Sequence, residues 1–262
     1  MRGRHGQGSA AGSDEAAHAI RRRVALASQV LGLADHGDLV WGHVSLRDPE
    51  GRGVWMKASG WAFEEVTPAR VLLVGWDGEV LAGEGRRHAE YPIHTELMRA
   101  RPDVHAVVHT HAPHAVAFAA LAQPLRPISH EGTLFVPPDV ARFTLTGDLI
   151  LTRELGQALA AAVGPRNAAL MVHHGIVTVG VDEATAVLTA ILLERACQKQ
   201  LLAMSAGPLR TWSSPEEALA KRAHCYKPEM LQSAWAYLVR RLSPGAAGRR
   251  QGGRSGGTEP LP

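Results

Sequence analysis

The chain has 262 residues and a formal net charge of +3, with 28 Lys and Arg residues against 25 Asp and Glu residues. Residues 1–23 hold five Arg and two acidic residues, and residues 240–262 hold five Arg and one acidic residue, which leaves a net charge of −4 for residues 24–239. The body of the chain therefore lacks the basic surface of a nucleic-acid-binding protein, and no apolar run is long enough to predict a membrane span.

Both ends of the chain are rich in Gly, Ser, Arg and Pro and poor in apolar residues. We predict disordered tails at residues 1–13 and 242–262 around one domain at residues 14–241. The first residues lack the apolar core of a signal peptide, and the two cysteines cannot form a disulfide framework. These features predict a cytoplasmic protein.

Helices and strands are interleaved along the predicted domain. Asp14 is expected to cap a first helix that extends to Ala34, and Asp182 is expected to cap a long helix through Ala203. The other predicted helices cover residues 89–100, 112–121, 151–163, 215–224 and 228–241. Strands are predicted within residues 39–48, 53–59, 66–83, 104–111, 168–174 and 176–180, whereas residues 127–138 read as irregular. Because tight turns join several strands, we expect one α/β domain with a largely antiparallel or mixed sheet.

Most of the 14 histidines lie between His88 and His174. His109 and His111 follow three apolar residues of a predicted strand, and strand residues two apart face the same side. They can therefore present two imidazoles to one point. Two half-exposed histidines on an edge strand would give the same pattern, so this pair alone does not define a site.

Two further segments add candidate ligands. His173 and His174 end another apolar strand before Gly175, and because neighbouring strand residues face opposite ways, at most one of them can join the first pair. His88 and Glu90 lie at the start of a predicted helix, where the helix dipole stabilises a carboxylate. Three imidazoles with a nearby carboxylate indicate a mononuclear divalent-metal site with an open position, suited to zinc, iron, manganese or cobalt.

The segments that contain these residues resemble, in the same order, the class II aldolase/adducin family. The matching stretches are GHVSLRDP at 42–49, KASGWAFEEVTP at 57–68, EYPIHTELMRARPDVHAVVHTHAPH at 90–114 and HHGIVTVG at 173–180. The resemblance implies a three-layer α/β/α sandwich around a central, mainly antiparallel sheet. It also implies a homotetramer whose active sites lie at subunit interfaces.

The resemblance also implies residue roles. It assigns the metal to His109, His111 and His174, with Glu90 as the proton-transferring base that can itself contact the metal. The substrate-binding residues that it implies are His43, Ser59, Gly60 and His88. Lys57, two residues before Ser59, is expected to be a solvated strand residue.

Three departures from the sugar-phosphate members of the family affect the expected substrate. His43 stands where those enzymes have Asn, and His88-Ala89 replaces a pair of hydroxyl residues that binds phosphate. The tyrosine acid of the aldolases is absent from residues 128–132, where His130 or Glu131 offers either a proton-transfer group or part of an interface loop. The sequence is more similar to the decarboxylase branch, which acts on hydroxylated aromatic acids and includes proteins of aminocoumarin antibiotic pathways.

We therefore predict a metal-dependent carbon–carbon lyase that decarboxylates a hydroxylated carboxylic acid, aromatic acids included. One divalent ion per subunit is expected, zinc first, with iron or manganese as alternatives. A dry pocket is expected to raise the pKa of Glu90, and His88 is expected to orient the substrate carboxylate in its protonated form. An aldolase or epimerase of sugar phosphates, a non-haem iron oxygenase and a binding module without chemistry remain alternatives.

Overall fold

The first helix, α1, covers Gln7–Leu33 in the computed structural model, which describes residues 7–243 and their side chains from residue 14 onward. Residues 7–13 are thus helical where the sequence predicted a tail, and Asp14 lies inside the helix, so its predicted role as a cap is wrong. The rest of the N-terminal tail and nearly all of the C-terminal tail lie outside the described residues, and the predicted domain limits stay a prediction.

In the described part of the chain, eight strands form one sheet in the order β4-β3-β2-β1-β5-β8-β7-β6. They are β1 (His43–Arg47), β2 (Gly53–Lys57), β3 (Val71–Gly75), β4 (Val80–Ala82), β5 (Ala106–Thr110), β6 (Ala141–Phe143), β7 (Ala168–Met171) and β8 (Gly175–Gly180). Every pair of neighbours is antiparallel except β6 and β7, which are parallel. The mainly antiparallel sheet predicted from the sequence is therefore confirmed.

Within residues 7–243, seven more α-helices follow α1, and two short 3₁₀ helices lie at Phe63–Glu65 and Pro68–Arg70. The seven α-helices are α2 (Tyr91–Ala100), α3 (Pro113–Ala119), α4 (His130–Thr133), α5 (Arg153–Val163), α6 (Glu183–Ser205), α7 (Pro215–Cys225) and α8 (Pro228–Arg241). Asp182 caps α6 as predicted, because its side chain accepts a hydrogen bond from the Thr185 amide. None of the helices in residues 7–243 combines the length and the apolar character that a membrane crossing requires.

The sheet separates two buried apolar clusters, one on each face. On β5, Val108 belongs to the cluster that contains Val24 of α1 and Leu193 of α6. Its neighbour Val107 belongs to the cluster that contains Leu97 of α2 and residues of α5. Side chains on a strand alternate between the faces, so this division gives the predicted three-layer α/β/α sandwich.

Candidate metal centre

Three histidines from separate positions meet at the end of the sheet. His109 is in β5, His111 directly follows that strand, and His174 lies in the turn between β7 and β8. Their ring centroids are 5.0 Å apart for His109 and His111, 4.9 Å for His109 and His174, and 5.4 Å for His111 and His174. The ligand atoms that they offer all lie within 4.8 Å of one another.

The free nitrogens of these rings fit a divalent metal ion. The Nε2 atoms of His109, His111 and His174 are buried and have no hydrogen-bond partner among the described residues. His109 Nδ1 lies 2.9 Å from the Ile176 carbonyl oxygen, and His111 Nδ1 lies 2.8 Å from Asp38 Oδ2, so both Nδ1 atoms donate. Donation by Nδ1 leaves a lone pair on Nε2, which is the arrangement found in metal-binding histidines.

Backbone geometry selects His174 over its neighbour. His173 has a φ of +61°, which non-glycine residues rarely adopt, and it turns the chain between β7 and β8. Only His174 enters the cluster, in agreement with the expectation that at most one of the pair could do so. Gly175 then passes so close to β5 that an added Cβ would lie 2.6 Å from the Thr110 carbonyl oxygen and 2.8 Å from His111 Cδ2.

Glu90 lies at the N-terminal end of α2 and faces the histidines. Its Oε1 is 3.4 Å from His174 Nε2, and its Oε2 is 3.9 Å from His109 Nε2 and 4.0 Å from His43 Nε2. The Ile150 amide donates to Oε1 at 2.8 Å. The segment before α5 therefore holds the carboxylate in place.

The charge state of Glu90 differs from the sequence prediction. Burial alone raises the pKa of this carboxyl, but the His174 ring, His109 and the Ile150 amide outweigh burial and lower the pKa to about 2. The expectation that a dry pocket raises the Glu90 pKa is therefore wrong. Glu90 is therefore a carboxylate at neutral pH.

His43 is held next to His109 by strand register. The two residues are Cα partners in the β1–β5 pairing, and their ring centroids are 4.9 Å apart. His43 Nδ1 lies 2.6 Å from Nε2 of His94 on α2, and His94 Nδ1 lies 2.6 Å from Ser45 Oγ on β1. Neither His94 nor Ser45 was predicted from the sequence to have a role in the site.

His88 and Lys57 form a second buried pair beside His43. Lys57 has 0% exposure, so the expectation of a solvated lysine is wrong. Its Nζ donates to the Val40 carbonyl at 3.0 Å and lies 3.2 Å from His88 Nε2. Burial lowers the pKa of Lys57 to about 8. Burial, followed by the Lys57 charge, lowers the pKa of His88 to about 3, so the expectation of a protonated His88 is also wrong.

Of the remaining predicted residues, Ser59 and Gly60 lie on a loop, and His130 and Glu131 begin α4. The Ser59 amide donates to the Arg86 carbonyl at 2.8 Å, which brings this loop beside the segment that leads to His88. Gly60 has a φ of +87°, a conformation that glycine adopts without strain. Glu131 is paired with Lys199 at 2.6 Å, and His130 contacts Cys225 at 3.4 Å. These two candidates for proton transfer thus have partners on α6 and α7.

Two overlapping groups of side chains could hold an ion at this place. The first consists of His109, His111 and His174, and the second of His43, Glu90 and His109. The first offers three unpartnered nitrogens, whereas His43 and Glu90 have other contacts. The geometry thus favours a site with three imidazoles and a carboxylate beside it.

Comparisons with known proteins give a consistent result. The sequence profile of the Class II Aldolase and Adducin N-terminal domain matches residues 22–201. A 3,4-dihydroxyphthalate decarboxylase of Arthrobacter keyseri is 32% identical over 237 residues, which cover 85% of this chain and 94% of that protein. Decarboxylase NovR of Streptomyces niveus is 35% identical over 185 residues, covering 70% and 66%. The solved L-fuculose 1-phosphate aldolase from Glaciozyma antarctica PI12 gives a TM-score of 0.77 at 27% identity, covering 92% and 93%.

Proposed function

Because the chain belongs to the class II aldolase and adducin family, we propose that it is a metal-dependent lyase that decarboxylates a hydroxylated carboxylic acid. The observation that carries this proposal is the meeting of three unpartnered Nε2 atoms beside an ionised carboxylate. Two of its relatives are named as decarboxylases, which supports the choice of reaction.

His109, His111 and His174 would hold one divalent ion through Nε2, with Glu90 close enough to contact it. We propose zinc, and iron and manganese accept the same ligands. When bound, such an ion acts as a Lewis acid that stabilises negative charge developing on substrate oxygens.

The chain's own residues move the proton and orient the substrate. Glu90 accepts a proton from a substrate hydroxyl and returns it to the carbon that loses CO2. We assign His43, Ser59, Gly60 and His88 to the part of the site that receives the substrate carboxylate. The Lys57 ammonium places positive charge directly behind His88.

Decarboxylation is favoured over sugar-phosphate cleavage by the segment before Glu90. The hydroxyl pair that binds phosphate in the aldolases is His88-Ala89 in this chain. Neither His88 nor Ala89 carries a side-chain hydroxyl, so both hydroxyl donors that hold the phosphate in the aldolases are missing. The similarity to an aldolase structure keeps retro-aldol cleavage as the alternative outcome of the experiment.

The proposal is tested by metal analysis of the purified protein and a screen of hydroxylated aromatic acids for CO2 release. We expect about one divalent ion per chain, and His109→Ala should lose both the ion and turnover because it removes one of three ligands. The matched control is His105→Ala, which changes an exposed histidine just before β5.

Three results would contradict this function. Turnover retained by a metal-free His109→Ala protein would refute metal dependence. Cleavage of a sugar phosphate without CO2 release from any acid would identify an aldolase. Oxygen consumption that matches turnover in the iron-loaded protein would identify an oxygenase.

We also propose that the active protein is a homotetramer in the cytoplasm, with its sites at subunit interfaces and a small molecule as its partner. Large apolar side chains near the site segments are exposed in the single chain, and this exposure supports the proposal. These residues are Leu39, Trp41, Leu145, Leu149 and Leu151.

A further inference from the structure

A buried row of polar side chains leads from β1 to the candidate metal centre. Ser45 Oγ lies 2.6 Å from His94 Nδ1, and His94 Nε2 lies 2.6 Å from His43 Nδ1. His43 Nε2 then faces Glu90 Oε2 at 4.0 Å. Ser45 and His94 have 0% exposure and His43 has 1%, so the protein interior encloses the row up to the site.

The two-residue repeat of strand β1 and one turn of helix α2 bring these groups together. His43 and Ser45 are two residues apart on β1 and face the same side of the sheet. Their neighbours Val44 and Leu46 belong to the opposite apolar cluster. His94 lies four residues after Glu90, one helical turn along α2, so both can reach the same place over β1.

The proton positions in this row have two consistent arrangements. Either Ser45 donates to His94 and His94 donates to His43, or the direction of both hydrogen bonds is reversed. In the reversed order the buried Ser45 hydroxyl hydrogen has no acceptor among the side-chain contacts of residues 14–243, which is unfavourable. The reversed order also points a lone pair of His43 Nε2 at the negative Glu90 carboxylate. Donation from Ser45 to His94 and from His94 to His43 avoids both of these unfavourable contacts.

We infer that Ser45 and His94 are positioning residues that hold His43 in its Nε2–H tautomer, so that His43 offers a hydrogen-bond donor and not a metal ligand. The inference rests on the proposed function, because the donor then faces the oxygen atoms of a substrate bound beside Glu90. A fixed N–H at this place stabilises negative charge on a substrate oxygen. The group formed by His43, Glu90 and His109 is accordingly not a second metal site.

The tautomer is measured without a substrate or an ion. Nitrogen-15 NMR of metal-free, histidine-labelled protein distinguishes the two tautomers, and His43→Asn identifies the His43 signals. We expect the Nε2–H form in the unmodified chain, and a shift toward the Nδ1–H form in Ser45→Ala and His94→Leu. Ser28→Ala is the matched control, because Ser28 is also buried but donates to Val24 within α1.

Metal content and kinetics provide a second readout. His43→Asn, Ser45→Ala and His94→Gln should bind as much metal as the unmodified protein, since none of them removes a proposed ligand. With an acid identified by CO2 release, we expect His94→Leu to lower kcat roughly tenfold, the effect of one misplaced hydrogen bond, with little change in KM. His94→Gln should restore most of kcat, because its amide can donate to His43 Nδ1.

Several results would overturn the inference. These are an Nδ1–H tautomer of His43 in the unmodified chain, loss of metal in His43→Asn, or a tautomer that Ser45→Ala and His94→Leu both leave unchanged with kcat unaltered. If His94→Leu does not fold, Ser45→Ala still decides the question, and His94→Gln should retain the Nε2–H form. A screen without CO2 release would refute the proposed function, whereas the tautomer and metal measurements would still test the inference separately.

Discussion

Gly175 is the residue on which the spacing of the candidate metal centre depends most directly. Its Cα passes the strand that bears His109 so closely that a Cβ would lie 2.6 Å from the Thr110 carbonyl oxygen, 2.8 Å from His111 Cδ2 and 3.1 Å from His109 Cε1. Backbone and imidazole rings would both have to move. We expect Gly175→Ala to destabilise the fold by about 1–3 kcal/mol and to lower metal binding.

The measurements for this prediction are chemical denaturation and bound metal per chain. Gly37→Ala is the matched control, because nothing lies within 4 Å of a Cβ added there and its φ is not positive. Equal metal content in Gly175→Ala and Gly37→Ala would show that the ring positions do not depend on this close approach.

Also at the residue scale, four candidate site residues could be selected from the sequence alone: His109, His111, His174 and Glu90. The structure brings these four side chains together. Their roles stay predictions. Periodicity in a strand and the order of the family motifs identified them, because both depend on the local chain alone. The charge states of Glu90 and His88 were predicted wrongly, because burial and partners from distant segments set them.

The burial of Lys57 was not predicted, for a related reason. A lysine at the end of a strand is usually solvated. No local sequence pattern predicts that the Val40 carbonyl and the His88 ring lie next to the Lys57 ammonium. His94 was overlooked because its partners are distant in the sequence: His43 is 51 residues away and Ser45 is 49 residues away. A buried histidine has no sequence signal when its partners come from another element.

At the scale of the element, the start of α6 offers a clear prediction. Asp182 accepts a hydrogen bond of 2.7 Å from the Thr185 amide, which would otherwise be unpaired at the helix end. We expect Asp182→Ala to destabilise the protein by about 1 kcal/mol and to lower Tm by about 2–4 °C. Thermal unfolding followed by circular dichroism measures both.

Two variants control for this substitution. Asp182→Asn keeps an acceptor oxygen and should stay within about 0.5 kcal/mol of the unmodified protein. Asp14→Ala changes an exposed aspartate inside α1, where no cap is needed, and should have a similarly small effect. A loss of stability in Asp14→Ala equal to that in Asp182→Ala would contradict the capping argument.

The elements were predicted best where apolar periodicity was long. The helix after Asp182 and the strands around His109 were identified, whereas the three-residue strand β6 was not. β6 is recognised only by its parallel pairing with β7, which follows from the tertiary fold. α4 is a single turn inside a segment predicted to be irregular, and it is too short for a periodic signal.

At the scale of the whole molecule, exposed apolar side chains near the site predict assembly. Leu39 is 71% exposed and Trp41 is 55% exposed, both just before β1. Leu149 is also exposed and is next to Ile150, whose amide holds Glu90. Exposed apolar patches mark interfaces in general, and closed symmetric homo-oligomers are the common result.

Light scattering of the purified protein should therefore give the mass of about four chains, the number expected for this family's homotetramer. Leu149→Asp should lower the measured mass, because it buries a charge in the proposed interface. Leu219→Asp is the control, since Leu219 is exposed on α7, whose partner is α4. A monomeric unmodified protein would contradict the proposed tetramer.

The pairing of His43 with His109 across β1 and β5 also bears on how strand alignment can be measured. A slip of one residue between these strands would turn His43 toward α1 and α6 and bring Val44 opposite the ligands. The pairing of β5 with β8 brings His109 and His111 beside His174, so a slip confined to β1 would leave the three proposed ligands together and remove only the donor that His43 offers. Metal content is therefore expected to report on the alignment of β5 with β8, whereas turnover of the metal-loaded protein is expected to report on the alignment of β1 as well.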